Sequence, residues 1–152
     1  PDPNQIQFSA ENIRLISRLI NAQYPDFKNA IPTNFENQVI FKRASLKEAI
    51  KVIGIFSGKV NEVKFKFNPS KKEVILTAQD PTLGQSETLL DSVEIKGEPL
   101  EIGFNYRFFL DGLESSRGEE VSLGLNKENT PVLIRGKEES DFLYVLVPSL
   151  SA

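Results

Sequence analysis

The sequence predicts an α+β fold built from two copies of one unit, strand–helix–strand–strand–strand, with two helices packed on antiparallel sheets. Three observations lead there. Leu100 to Leu113 reads as a strand that turns a sharp corner into an amphipathic helix. The same reading recurs about sixty residues upstream. Each helix is then followed by a matching pair of strands.

In the second unit, Leu100, Ile102 and Phe104 alternate with Glu101 and Gly103, the period-2 pattern of a half-buried strand. Asn105 stands where a helix N-cap belongs, its side-chain oxygen placed to accept from an amide two or three residues on. Tyr106, Phe109, Leu110 and Leu113 then fall at i, i+3, i+4 and i+7, one apolar stripe, and Gly118 is expected to stop the helix in the left-handed conformation. Phe108 breaks the pattern. It lies off the stripe, beside Gly112 and Ser115, and a large aromatic facing water is a first sign of a binding site.

In the first unit, Val39, Ile40 and Phe41 form the strand core and Ser45 matches Asn105. Ser45 and Glu48 have the spacing of a capping box, while Leu46, Ala49, Ile50 and Ile53 make the buried stripe, with Gly58 as the stop. Residues 63–68 parallel 121–126, and 74–76 parallel 132–134. The expected offset is 60 residues at the helices and 58 at the strands. The alternative to a duplication is two unrelated α+β stretches that happen to align.

Outside the units, residues 5–20 read as a hairpin, with Ile6 and Phe8, then Ile13, Leu15 and Leu19, alternating with polar neighbours. Tyr24-Pro25-Asp26-Phe27 and Ile31-Pro32 read as a linker, because each proline holds itself and its predecessor extended. Residues 1–31 are therefore expected to close a preceding domain, and 32–152 to form the duplicated one, with repeats at about 35–95 and 98–148. The first repeat ends in a strand through Leu89, Leu90 and Val93, after turn chemistry at Asp80-Pro81-Thr82-Leu83-Gly84. The second ends in Phe142 to Pro148, apolar enough for a strand buried on both sides, followed by a short tail, Ser149 to Ala152. Val52, Ile55 and Phe56 widen the apolar surface of the first helix, either as broad core contact or as a contact with another subunit.

Composition narrows the chemistry. The 152 residues are 39% hydrophobic and 26% charged, with a net charge of −3 and no Cys, His or Met. Without cysteine there are no disulfides or thiol nucleophiles, and without histidine the commonest general base and metal ligand is gone. No Gly-rich phosphate loop, nucleophile–base pair or metal-ligand spacing is present, and no metal or cofactor is expected. Asp111 with Glu114, and Glu119 with Glu120, are better read as solvated surface than as catalytic pairs. No run approaches a membrane span, and no charged-then-apolar leader opens the chain. A chain that starts at Pro1 and lacks Met is expected to be a fragment. Charge is uneven: Lys42, Arg43, Lys47, Lys51 and Lys59 against Glu48 give a local +4, leaving −7 elsewhere. Such a band suits either a polyanion or a solvated helix face.

With these features in place, the motifs resemble the bacterial sliding clamp family, the beta subunits of DNA polymerase III. Leu15-Ile16-Ser17-Arg18-Leu19-Ile20 followed by Tyr24-Pro25-Asp26-Phe27 is similar to the join between that family's middle and last domains. Glu98 to Asn105 is similar to its Glu-Ile-Gly-Phe-Asn signature, and Pro131 to Ile134 and Tyr144 to Pro148 resemble its closing strands. The resemblance covers the whole chain.

The resemblance implies the DNA clamp fold: a ring of two three-domain subunits, helices lining the hole and sheets outside. It implies a non-enzymatic processivity factor in the cytoplasm, at the nucleoid, that encircles duplex DNA regardless of sequence. Its partners would be the DNA polymerase III alpha subunit, the clamp loader and other proteins with a clamp-binding motif. Arg43, Lys47, Lys51 and Arg107 would face the DNA. Val52, Ile55, Phe56 and Glu87 would lie at the subunit contact. A pocket for short apolar-anchored peptides would include Pro25, Asn29, Ala30, Val60, Asn105, Phe108, Pro131, Val145, Leu146, Val147, Pro148 and Ser149, with Phe108 as a wall for the incoming side chain. The chain departs from the family at its tail, where Met-Arg-Leu is usual after the proline, and near Gly84, where only Glu87 is left of several acids. A protein-interaction module that never meets DNA is the competing reading.

Overall fold

The computed structural model describes residues 3–91 and 94–149. In chain order the elements are β1 (Gln5–Ala10), β2 (Ile13–Arg18), a 3-10 turn (Phe27–Ala30), β3 (Asn37–Lys42), α1 (Arg43–Ile53), β4 (Glu62–Asn68), β5 (Glu73–Asp80), β6 (Gly84–Asp91), β7 (Glu94–Lys96), β8 (Leu100–Asn105), α2 (Tyr106–Ser115), β9 (Glu120–Leu125), β10 (Val132–Gly136) and β11 (Tyr144–Leu146). Val93, expected in the strand now seen as β6, lies outside the described residues, as do Leu150, Ser151 and Ala152 of the tail.

The α+β fold and the duplication are both present, and the two copies are interlocked. One sheet runs β11-β10-β9-β3-β7 and the other β6-β5-β4-β8. The first strand of each copy therefore joins the sheet of the other. β3 pairs with β9, Lys42 opposite Glu120, just as β8 pairs with β4, Asn105 opposite Glu62. Neither copy can complete its sheet alone, so the two fold as one body.

Alternation fixes the core. Val63, Phe65 and Phe67 point inward from β4 while Lys64 and Lys66 face out, and Val121, Leu123 and Leu125 do the same on β9. Phe65 lies 4.9 Å from Phe109 and 5.3 Å from Phe104, ring centre to ring centre, so β4, β8 and α2 meet in one aromatic cluster. Each such buried ring is worth about 1.5–3 kcal/mol of transfer energy. Leu46, Ile50 and Ile53 supply the buried face of α1.

Four local expectations change. First, α1 begins at Arg43, not after Ser45, and Ser45 and Glu48 make no capping box. The strand ladder itself provides the acceptor: the Arg43 N–H donates to the Glu119 carbonyl at 2.8 Å, and the Tyr106 N–H of α2 donates to Asn61 at 2.9 Å in the same relation. Each helix thus has its first N–H met by the neighbouring strand, and only α2 adds a side-chain cap. Second, the helix starts pair Lys42 with Asn105, an offset of 63 rather than 60, while Glu62 and Glu120 keep the offset of 58. Third, Gly58 is left-handed (φ 60°) as expected, but Gly118 is not. α2 stops because Ser116 is extended, and Gly118 is glycine because a Cβ would stand 3.0 Å from the Glu120 carbonyl. Fourth, the terminal apolar run is a short edge strand, β11, not one buried on both sides. It pairs only with β10, so Leu146 enters the core while Val147 is exposed.

Candidate functional site

The corner between β8 and α2 gathers several of the expected pocket residues. Asn105 caps α2 as predicted, its Oδ1 accepting from the Arg107 N–H at 3.1 Å. Asn61, in the left-handed conformation, turns its carbonyl to the Tyr106 N–H, which sets Val60 beside the corner. From the other side the Ser149 N–H donates to the Gly103 carbonyl at 2.8 Å, drawing the tail after β11 along the free edge of β8. Val60, Phe108 and Val147, each within two residues of one of these bonds, are 73%, 56% and 66% exposed. Phe109 and Leu113 on the same helix are at 0%. Three large apolar side chains are thus left uncovered around one hydrogen-bonded corner. An open cleft of about 490 Å³ lined by Val60, Glu62, Lys64 and Glu101 flanks the corner, and one of about 230 Å³ lined by Gly103, Glu101, Lys64 and Ser149 adjoins it.

The remaining pocket candidates fall differently. Pro131 and Val145 are half-buried and Pro148 is buried. Leu146 is 5% exposed and belongs to the core. Pro25, Asn29 and Ala30 lie on another element, the exposed turn after the hairpin, which Asp26 holds by accepting from the Lys28 N–H and from the Asn29 side-chain amide.

The expected DNA face is less basic than its sequence. Lys47 and Lys51, one turn apart on α1, both reach Glu114 on α2, at 2.8 and 3.6 Å to the same carboxylate oxygen. The Lys47 hydrogen bond, then its charge, holds the Glu114 carboxyl below its ordinary value. Arg43 also has partners within the domain. Its guanidinium donates to the carbonyls of Gly118 at 2.6 Å and Leu113 at 3.4 Å, closing the end of α2. Arg107 is exposed, 5.9 Å from the centre of the Tyr106 ring. The two helices together carry four basic and three acidic residues, a net of +1.

At the expected subunit contact, Val52 and Ile55 are exposed, whereas Phe56 packs partly into the core. Glu87 is exposed on β6, the open edge of its sheet, where Leu89 also faces outward. Of the acidic pairs, Glu120 accepts from Lys137 at 2.7 Å and Glu114 pairs with Lys47 and Lys51. Among the described residues no group of three or more potential metal ligands occurs, and no helix is long and apolar enough to cross a membrane.

The family model for the C-terminal domain of the DNA polymerase III beta subunit matches residues 28–150. The chain belongs to that family. It is 34% identical over 148 residues to the beta sliding clamp of Chlamydia trachomatis serovar D, covering 97% of this chain and 34% of that protein. To the beta sliding clamp of Streptococcus pneumoniae serotype 4 it is 27% identical, covering 95% of this chain and 39% of the relative. Among solved structures, the Bartonella birtlesii sliding clamp bound to griselimycin superposes with a TM-score of 0.87 at 28% identity, over 99% of this chain and 40% of that one. The sliding clamp of Bacillus subtilis gives 0.84 at 25%, over 100% and 40%. The chain thus spans little more than a third of the length of these clamps.

Two participants carry no distinguishing signal in the sequence: Gly103 reads only as a strand residue and Glu114 only as polar surface. The offset of 63 holds the missing signal for Glu114: it places this residue at the position that Lys51 occupies on α1.

Proposed function

We propose that this chain is the last domain, with the end of the domain before it, of a ring-shaped processivity clamp that encircles duplex DNA and tethers a polymerase through a peptide pocket. Residues 1–31 would close the middle domain and 32–152 would form the last one. The hairpin supports this division. Ile6, Phe8, Ile13 and Leu15 share one face of β1–β2 and are all exposed, and a two-stranded hairpin with an uncovered apolar face is marginal by itself.

The observation that carries the functional reading is the exposure of Phe108, Val60 and Val147, each within two residues of a hydrogen bond at the β8–α2 corner. The ring of Phe108 would wall the pocket for a leucine or aromatic anchor, Asn105 and Ser149 would offer polar contacts, and Pro25, Asn29 and Ala30 would complete one side from the linker. Pro131, Val145 and Pro148 would shape its floor, with Leu146 packed below. Lys47, Lys51 and Arg107 would face phosphates, a contact that is blind to sequence and weakened by salt, as sliding demands. Val52, Ile55 and Glu87 would meet the other subunit, with Phe56 bracing them. The ring would act in the cytoplasm, without catalysis of its own, and its partners would be the polymerase III alpha subunit, the clamp loader and other carriers of the binding motif.

NMR shift mapping with a Gln-x-x-Leu-Phe peptide tests the pocket. Shifts gathered on Pro25–Ala30, Val60, Phe108 and Val145–Ser149 are expected. Shifts elsewhere, or none once the rest of the middle domain is present, would remove the peptide-binding reading. An interaction module without a DNA role is the alternative. Replacing Lys47 and Lys51 by Glu in the full-length protein, with no loss of loaded-clamp function, would favour it.

A further inference from the structure

We infer that Glu114 acts as an internal competitor of DNA phosphate, holding Lys47 and Lys51 so that the helix face grips duplex DNA more loosely than its lysines alone would. The inference rests on the proposed DNA-facing role of those lysines and adds a residue that sets its strength.

The geometry is that of one acceptor between two donors. Lys47 and Lys51 are four residues apart on α1 and therefore project from one face. A single Glu114 oxygen from the neighbouring helix lies 2.8 Å from the first ammonium and 3.6 Å from the second. All three side chains reach solvent, at 29%, 52% and 48% exposure, so this is a surface cluster open to a ligand and not a buried ion pair. The interlocked duplication explains the placement. Glu114 is the counterpart of Lys51, 63 residues on, so equivalent positions of the two copies meet at this surface. The same position in the two copies carries opposite charge.

A phosphate oxygen arriving at Lys47 or Lys51 meets a carboxylate already in the position it would take. An ammonium has three donors and could serve both, yet two anions sharing one lysine repel each other. Binding therefore either displaces Glu114 or proceeds against its charge. Since exposed ion pairs are weak and quickly exchanged, the lysines can pass between carboxylate and successive phosphates, which favours movement along the duplex over tight residence.

The test is the affinity of the full-length protein for a short fluorescent duplex, measured by anisotropy over a salt series. Glu114→Gln is compared with Glu48→Gln, which removes the same charge from the exposed side of α1. Glu114→Gln is expected to bind about two- to fivefold more tightly than Glu48→Gln, as loss of one exposed ion-pair partner implies. Its log K against log salt should steepen by about 0.9, one further phosphate neutralised. Adding Lys47→Ala and Lys51→Ala to Glu114→Gln should cancel the gain. Equal affinities for the two Gln variants, with Lys47→Ala/Lys51→Ala still weakening binding, would overturn the role of Glu114 and leave the DNA face standing. No effect of the lysine pair in either background would overturn both.

Discussion

The backbone N–H of Ser149 donates to the carbonyl of Gly103 at 2.8 Å. This bond repeats, in the second copy of the unit, what β7 does in the first. After β6 the chain crosses to the other sheet and pairs with β3, Glu94 opposite Ile40; after β11 it crosses and meets β8 at Gly103, the counterpart of Ile40. The crossing brings Val147 and Pro148 to the β8–α2 corner, so the duplication itself builds one wall of the proposed pocket.

Ser149→Pro removes that donor. The expected result is weaker peptide binding with a loss of about 1 kcal/mol in stability, the usual net value of one hydrogen bond. Titration with the Gln-x-x-Leu-Phe peptide and a denaturant melt read the two effects. Unchanged peptide affinity would separate the tail from the pocket.

Phe108→Ala should abolish or strongly weaken peptide binding while moving stability by no more than about 0.5 kcal/mol, because a side chain outside the core leaves no cavity. Phe109→Ala, one residue on and fully buried, should instead cost about 3–5 kcal/mol. The pair of melts, run beside the peptide titration, separates pocket from core within one helix.

Arg43→Ala is expected to act as a folding mutation. Its guanidinium bonds to Gly118 and Leu113 join the start of α1 to the end of α2, and hydrogen bonds from a charged donor are worth about 1.5–3 kcal/mol. Thermal melts should drop accordingly, whereas Lys47→Ala, made on an exposed ion pair, should shift stability by less than about 1 kcal/mol.

Glu139 provides a pH signature. Its carboxylate accepts from the Ser116 hydroxyl at 2.6 Å and from the Arg117 N–H at 2.8 Å, and these bonds, with the Arg117 guanidinium, hold its pKa below the ordinary 4.5. A carboxyl whose folded-state pKa is depressed stabilises the protein above its unfolded value and loses that contribution as pH falls through the folded one. Wild type should therefore melt higher than Glu139→Gln near neutrality, and the gap in Tm should narrow as the pH drops below 4.5. A gap that stays constant would assign Glu139 a packing role only.

How much was legible in the sequence depended on whether the signal was local. Alternation on β4 and β9 and the stripes of Phe109 with Leu113 and Leu46 with Ile50 depend on side-chain period alone, and both copies could be read from them. Off-stripe Phe108 was visible for the same reason. The start of α1 is not legible locally: Ser45-x-x-Glu48 has the form of a capping box, while the decisive acceptor for Arg43, the Glu119 carbonyl, lies 76 residues away. Alignment on Ser45 gives a helix offset of 60 in place of 63, which conceals the correspondence of Lys51 with Glu114.

The sequence by itself determined the unit, its duplication, the absence of cysteine and histidine chemistry, and the motifs that carry the family. These follow from residue type and spacing, which the chain states directly. Only the tertiary structure decided that the first strands are exchanged between the sheets, that Arg43 closes α2, that Leu146 is core, and that Lys47 and Lys51 share Glu114. Each of those depends on a partner more than thirty residues away or on the opposite sheet, and the pairing of distant groups is set by how the two copies pack, which no local pattern records.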